Sequence, residues 1–113
     1  MEPYEAREPD FVYRAMHSEA EATITVDFVK MGTGVTLVDD AANSVTLQTV
    51  GEVEDSSAQD RAGDPSIITV TNANCAAKVK LSGCIRGALY EIVWKFKRSD
   101  GDVAVAVTRI PVT

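Results

Sequence analysis

Few side chains in this sequence are of types that do chemistry, and their spacing limits what they can do. His17 is the sole histidine, so a Ser-His-Asp or Cys-His pair would have to use it. It sits in an irregular amino-terminal stretch, and no Gly-x-Ser-x-Gly elbow or other nucleophile motif accompanies it. The expectation is a solvated or interface histidine in a protein that is not an enzyme. Cys75 and Cys84 with one distant histidine fall short of a tetrahedral zinc set. Asp39-Asp40 and Asp100-Gly101-Asp102 offer oxygens without the ordered acidic spacing of a calcium loop, so solvated turn carboxylates are expected. Gly32-Thr33-Gly34 is too short to cradle a phosphate. No catalytic, cofactor-binding or metal-binding residue follows from the sequence.

The cysteines raise a separate question. They flank a strand predicted over residues 77–81. An extended strand advances ~3.3 Å per residue, which holds its ends well over ~15 Å apart, beyond the ~7 Å reach of a disulfide. A Cys75–Cys84 bridge within one chain is therefore disfavoured. Two readings stay open: buried thiols, the usual state of cysteines made in a reducing cytoplasm, or an inter-chain disulfide at a subunit boundary.

The chain has 113 residues, with 11 basic against 17 acidic side chains and a formal net charge of −6. That length suits one domain with a single core. An acidic surface cannot gain from counterion release on a phosphate backbone, so no direct nucleic-acid contact is expected. The longest apolar runs are far short of a bilayer span, so no membrane contact is expected. Met1-Glu2-Pro3-Tyr4-Glu5 lacks the order of a signal peptide, which leads to the expectation of synthesis in a cytoplasm.

The elements that would position any surface are strands. Tyr90, Ile92, Trp94 and Phe96 share one face at period two and are expected in the core, while Glu91, Lys95 and Lys97 share the other with Leu89 and Val93. Asp100-Gly101 is expected to close a tight two-residue turn, after which Val103, Val105 and Val107 resume the alternation. Further strands are predicted over 23–28, 35–38, 45–50, 67–71 and 77–81, with a polar loop over 52–66 expected to be exposed and mobile. This makes an all-β antiparallel sandwich of about seven strands over residues 21–113, preceded by an irregular amino-terminal arm over 1–20. The arm carries Tyr4, Phe11, Val12, Tyr13 and Met16, too apolar for a solvated tail, and these are the expected inter-subunit contacts.

Gly87-Ala88-Leu89-Tyr90 enters the longest strand after a glycine turn, where immunoglobulin-like sandwiches place a tyrosine whose hydroxyl ties back to the preceding corner. A plain core aromatic at a strand start fits the same residues. The order of Ser82-Gly83, Gly87, Tyr90, a long strand, Ser99-Asp100-Gly101 and the closing Arg109-Ile110-Pro111-Val112 resembles the Ig-like neck and tail-adaptor proteins of tailed bacteriophages, including fiber-tail adaptors. Arg7-Glu8-Pro9-Asp10-Phe11-Val12-Tyr13 and Ile24-Thr25-Val26-Asp27-Phe28 occupy the places of that family's arm and first alternating strand. The similarity covers both ends of the chain and leaves 32–65 outside it. It implies a structural virion protein, made in the host cytoplasm, without cofactors. It further implies a homo-oligomeric ring or collar whose partners are portal, connector, tail or fiber proteins. The alternative is a carbohydrate- or protein-binding Ig-like module outside the virion.

Overall fold

The computed structural model describes residues 11–28, 34–70 and 73–113. Its described residues hold seven strands: β1 (Phe11–Val12), β2 (Ala22–Asp27), β3 (Ser44–Val50), β4 (Ser66–Val70), β5 (Ala73–Leu81), β6 (Leu89–Lys97) and β7 (Val103–Pro111). One sheet has the order β1-β7-β6-β3 and the other β2-β5-β4. Every pairing is antiparallel except the short parallel contact of β1 with β7. The fold is an all-β sandwich whose chain passes from one sheet to the other between β1 and β2, β2 and β3, β3 and β4, and β5 and β6.

Alternation explains why these segments are strands and which way they face. In β2 Ile24 and Val26 are buried while Thr23 and Thr25 are exposed, and in β5 Val79 and Leu81 are buried while Lys78 and Lys80 are exposed. Opposite them, Tyr90, Ile92, Trp94 and Phe96 of β6 lie with Val45 and Leu47 of β3 and Ala104, Ala106 and Ile110 of β7 in the same hydrophobic cluster. Small alanines on β7 stand directly across from Phe96 and Trp94, so large and small side chains interdigitate. Phe28 closes one end against Phe96, with ring centroids 6.3 Å apart.

The hairpin between β6 and β7 departs from the expected two-residue turn. Lys97 pairs with Val103, the Arg98 N–H donates to the Asp102 carbonyl, and the Gly101 N–H donates to the Arg98 carbonyl. Ser99, Asp100 and Gly101 thus form a three-residue loop with Gly101 at φ 94°, the left-handed position that follows a type I turn. The Asp100 carboxylate fixes the loop by accepting from the Asp102 N–H and from Arg98.

Residues 35–38 do not make the predicted strand. Leu37 forms a single bridge to Arg98, the Val38 N–H donates to the Lys97 carbonyl, and the Ser99 N–H donates to the Thr36 carbonyl. Buried Leu37 clamps the hairpin end, and the Asn43 side chain extends the ladder by accepting from the Lys97 N–H and donating to the Val38 carbonyl.

The polar loop after β3 is exposed along most of its length, as expected, and it is anchored to the sheet. A 3-10 turn, Ala58–Arg61, buries Ala58 and aims Gln59 at the edge of β3. The Leu47 N–H donates to Gln59 Oε1 at 2.9 Å and Gln59 Nε2 donates to the Val45 carbonyl at 3.0 Å. One amide thereby satisfies two of the edge groups that a neighbouring strand would otherwise pair, which hinders association at that point of the edge. Gln59→Ala should lose about 1–2 kcal/mol, the sum of two ordinary hydrogen bonds, and aggregate faster on heating. Chemical denaturation with light scattering checks both, and an unchanged midpoint would mean that β3 needs no such cap.

The domain also begins earlier than the arm boundary at 20 implies. β1 pairs with β7, Phe11 opposite Thr108 and Val12 opposite Arg109. The Met16 N–H donates to the Pro111 carbonyl, and the Thr113 N–H donates back to Met16. Residues 11–16 are therefore part of the sandwich.

Candidate functional site

Polar side chains cluster in two places on the scaffold. The first lies under the loop that follows β3, where the Asp55 N–H donates to Thr49 Oγ1 and turns the Asp55 carboxylate inward. That carboxylate accepts from the Tyr90 hydroxyl at 2.7 Å, from Arg61 Nε at 3.0 Å and from the Ser57 N–H at 3.0 Å. The Tyr90 hydroxyl in turn accepts from the Ile85 N–H at 2.8 Å, so the tie to the preceding corner is present and is extended to a second loop. The Arg61 guanidinium beside Asp55 holds its carboxyl below the usual carboxylate range, helped by the Tyr90 and Ser57 hydrogen bonds against the opposing effect of burial. Burial, above all, pushes the Tyr90 phenol up to about 12. Around this cluster the Ala62–Leu81 bridge and the Ser82 N–H donating to the Arg61 carbonyl fasten the loop to the end of β5.

The second cluster lies on the outward face of the β1-β7-β6-β3 sheet. Register puts Gln48, Glu91 and Arg109 in one row across β3, β6 and β7. Glu91 is fully buried although it points away from the inter-sheet core. Its carboxylate accepts from Arg109 Nε at 2.9 Å and from Gln48 Nε2 at 3.0 Å. Arg109, Gln48, Thr49, Val50 and Gly51 line a depression of about 390 Å³ beside it. Among its described lining residues Arg109 alone is charged, and it is paired to Glu91.

The residues weighed for chemistry in the sequence are scattered. His17 is exposed, and its Nδ1 accepts from the Glu19 N–H within a local turn. Asp40 accepts from the Ala42 N–H and shapes a turn. Among the described residues no group of three or more His, Cys, Asp or Glu side chains is placed to hold a metal ion. Cys84 is an unbonded, buried thiol beside the first cluster, and burial pushes its pKa up. A thiol so placed cannot reach a neighbouring copy without opening the corner, so Cys84 fits the buried-thiol reading and not the inter-chain disulfide. Cys75 lies within β5 rather than before it, and its side chain is outside the described residues.

The expected contact set of the arm is divided. Met16 is buried in the core of its own domain, and Tyr13 packs against that core, its hydroxyl pKa raised by burial to about 12. The apolar surface of Met16 is thus used within the chain, whereas Tyr13 is only partly covered. Val12 is exposed, Phe11 is described only by its backbone pairing, and Tyr4 lies outside the described residues. Comparison with protein-family models, curated proteins and solved structures found no match.

Proposed function

We propose that this chain is a non-catalytic, Ig-like structural protein of a tailed-phage particle, joining neck, tail, collar or fiber components by protein–protein contact. The observation that carries a scaffolding role is how the buried charges are used. Asp55 is bonded to Arg61 and Tyr90, and Glu91 to Arg109 and Gln48, so the groups able to do chemistry in a desolvated setting hold loops and strands together instead. The Ig-like identity draws support from the sheet orders β1-β7-β6-β3 and β2-β5-β4, and from the Tyr90 hydroxyl bonded to Ile85 at the entry to the longest strand. The phage assignment draws on the resemblance of the carboxy-terminal hairpin and the amino-terminal segment. Carbohydrate binding is less well supported, because Tyr90, Trp94, Phe96 and Phe28 are all buried, and Tyr13 is partly so, leaving no described ring fully open to stack on a sugar.

The test is quantitative mass spectrometry of density-purified particles from the phage that encodes the chain. The expected result is this chain at a fixed ratio to the portal protein. Recovery only from the soluble lysate would overturn the virion role and favour a binding module outside the particle.

A further inference from the structure

The outward face of the β6–β7 hairpin ends in a patch that does not suit a solvated sheet. Lys97 pairs across to Val103 and Lys95 to Val105, which sets two lysines and two valines side by side on one face. Val103 is 56 % exposed and Val105 37 % exposed, and both lysines are exposed. Neither lysine has an ion-pair partner among the described residues. Arg98 and Asp100 neutralise one another at the turn, and Asp102 falls off the row by the alternation of the strand. A basic and apolar surface is thus concentrated on a chain whose net charge is −6.

The opposite end of the same sheet presents the converse surface. Glu52-Val53-Glu54 follows β3, with Val53 37 % exposed and both glutamates exposed and without ion-pair partners among the described residues. Val53 lies beside Gly87, at the entry to β6. The two surfaces are therefore separated by about the length of β6, roughly 26 Å for its nine residues, so one copy cannot bring them together.

We propose that these surfaces bind each other between copies of this chain, head to tail: Val53 seats between Val103 and Val105 of the next copy while Glu52 and Glu54 pair with its Lys95 and Lys97. The occupant is a second copy because charge and apolar character match on both sides, two glutamates flanking an exposed valine on one and two lysines standing across from two exposed valines on the other. A contact between two different surfaces leaves one of each unfilled at the ends, so it propagates into a closed ring or an open filament according to the rotation per step. It goes beyond the proposed particle role, since it rests on these residues whichever assembly the chain serves.

Sedimentation velocity of the purified full chain tests the contact without reference to any particle. The weight-average sedimentation coefficient should rise with concentration at low salt, and the rise should be suppressed near 1 M salt, where the Debye length shrinks to about 3 Å. Lys95→Glu with Lys97→Glu, or Glu52→Lys with Glu54→Lys, should each raise the concentration needed for association at least about tenfold, because like charges then face one another. Combining the four substitutions in one chain should restore association. Circular dichroism melts of all variants control for folding, and the salt series on the unaltered chain needs no variant. A chain that stays monomeric at every concentration, association indifferent to salt, or a combined variant that remains dissociated would each overturn the contact.

Discussion

Trp94→Ala should cost ~3–5 kcal/mol of folding stability, the range for truncating a large core aromatic, and lower the melting temperature by roughly 10–20 °C. Trp94 is fully buried at the centre of β6, between Val45 of β3 and Ala106 of β7. Ala106 is too small to fill the space an indole leaves, so a cavity would persist and add to the lost transfer energy. A hydrogen bond is lost as well, since Trp94 Nε1 donates to Thr108 Oγ1 at 2.8 Å and Thr108 is also fully buried. Trp94→Phe keeps most of the volume and loses that bond, so it should cost less than the alanine change, by at least ~1 kcal/mol. Because a domain of this size has only about 5–15 kcal/mol in total, the alanine variant should sit near the edge of folding. Trp94 is the only tryptophan, so native emission reports its site directly and should be blue-shifted, moving red on unfolding. A native spectrum like that of indole in water, or an alanine variant losing less than about 1 kcal/mol, would show that the inward row is misassigned.

That inward row was legible because a long strand repeats one rule many times. Tyr90, Ile92, Trp94 and Phe96 alternate with Glu91, Val93 and Lys95, and a pattern of that length has one assignment. The elements that escaped notice lack such repetition. β1 is two residues long, and Met16 is held by Pro111 and Thr113 from the far end of the chain, a contact with no local signature. Asp55 and Gln59 look like any polar loop residues, although a buried tyrosine at position 90 already demanded a partner for its hydroxyl. What the sequence could not say was which of its many carboxylates would answer. Strand parity sets Glu91 on the face away from the inward row, with Lys95 and Lys97, and says nothing of what covers it. Its burial became intelligible only once register set Gln48 and Arg109 on either side of it. The turn at Asp100-Gly101 shows the same limit, because one glycine at positive φ serves a two-residue and a three-residue loop alike.

Asp55→Asn should cost about 3 kcal/mol at neutral pH, and the gap from the unaltered protein should close as the pH falls. At this site Tyr90 O–H, Arg61 Nε and the Ser57 N–H all donate to the carboxylate. Asparagine supplies one acceptor oxygen and turns an N–H₂ toward groups that are themselves donors. The guanidinium of Arg61 would lose its charge partner while partly buried, with 28 % of the side chain exposed, which places the cost toward the lower end of that for breaking a buried ion pair. The pH dependence follows from the direction of the shift. Arg61 and the other donors depress the folded-state pKa of Asp55 below the unfolded value near ~3.9. The unfolded state therefore binds a proton first as pH falls, and the stabilisation from Asp55 is complete above the unfolded value and drains away between it and the folded one. Asp100 shifts in the same direction, through its hydrogen bond from Asp102 and its pairing with Arg98, so acid sensitivity of the whole protein is not diagnostic. The difference between the two chains is diagnostic, because Asp100 is common to both. Urea melts of the unaltered protein and Asp55→Asn at pH 7 and near pH 3 measure it. A gap of the same size at both values would mean that the carboxylate charge contributes nothing and that Asp55 acts by shape alone. Tyr90→Phe in combination with Asp55→Asn then isolates the pair: their costs should fall short of additive, since each change removes the same 2.7 Å hydrogen bond that joins the loop after β3 to the entry of β6.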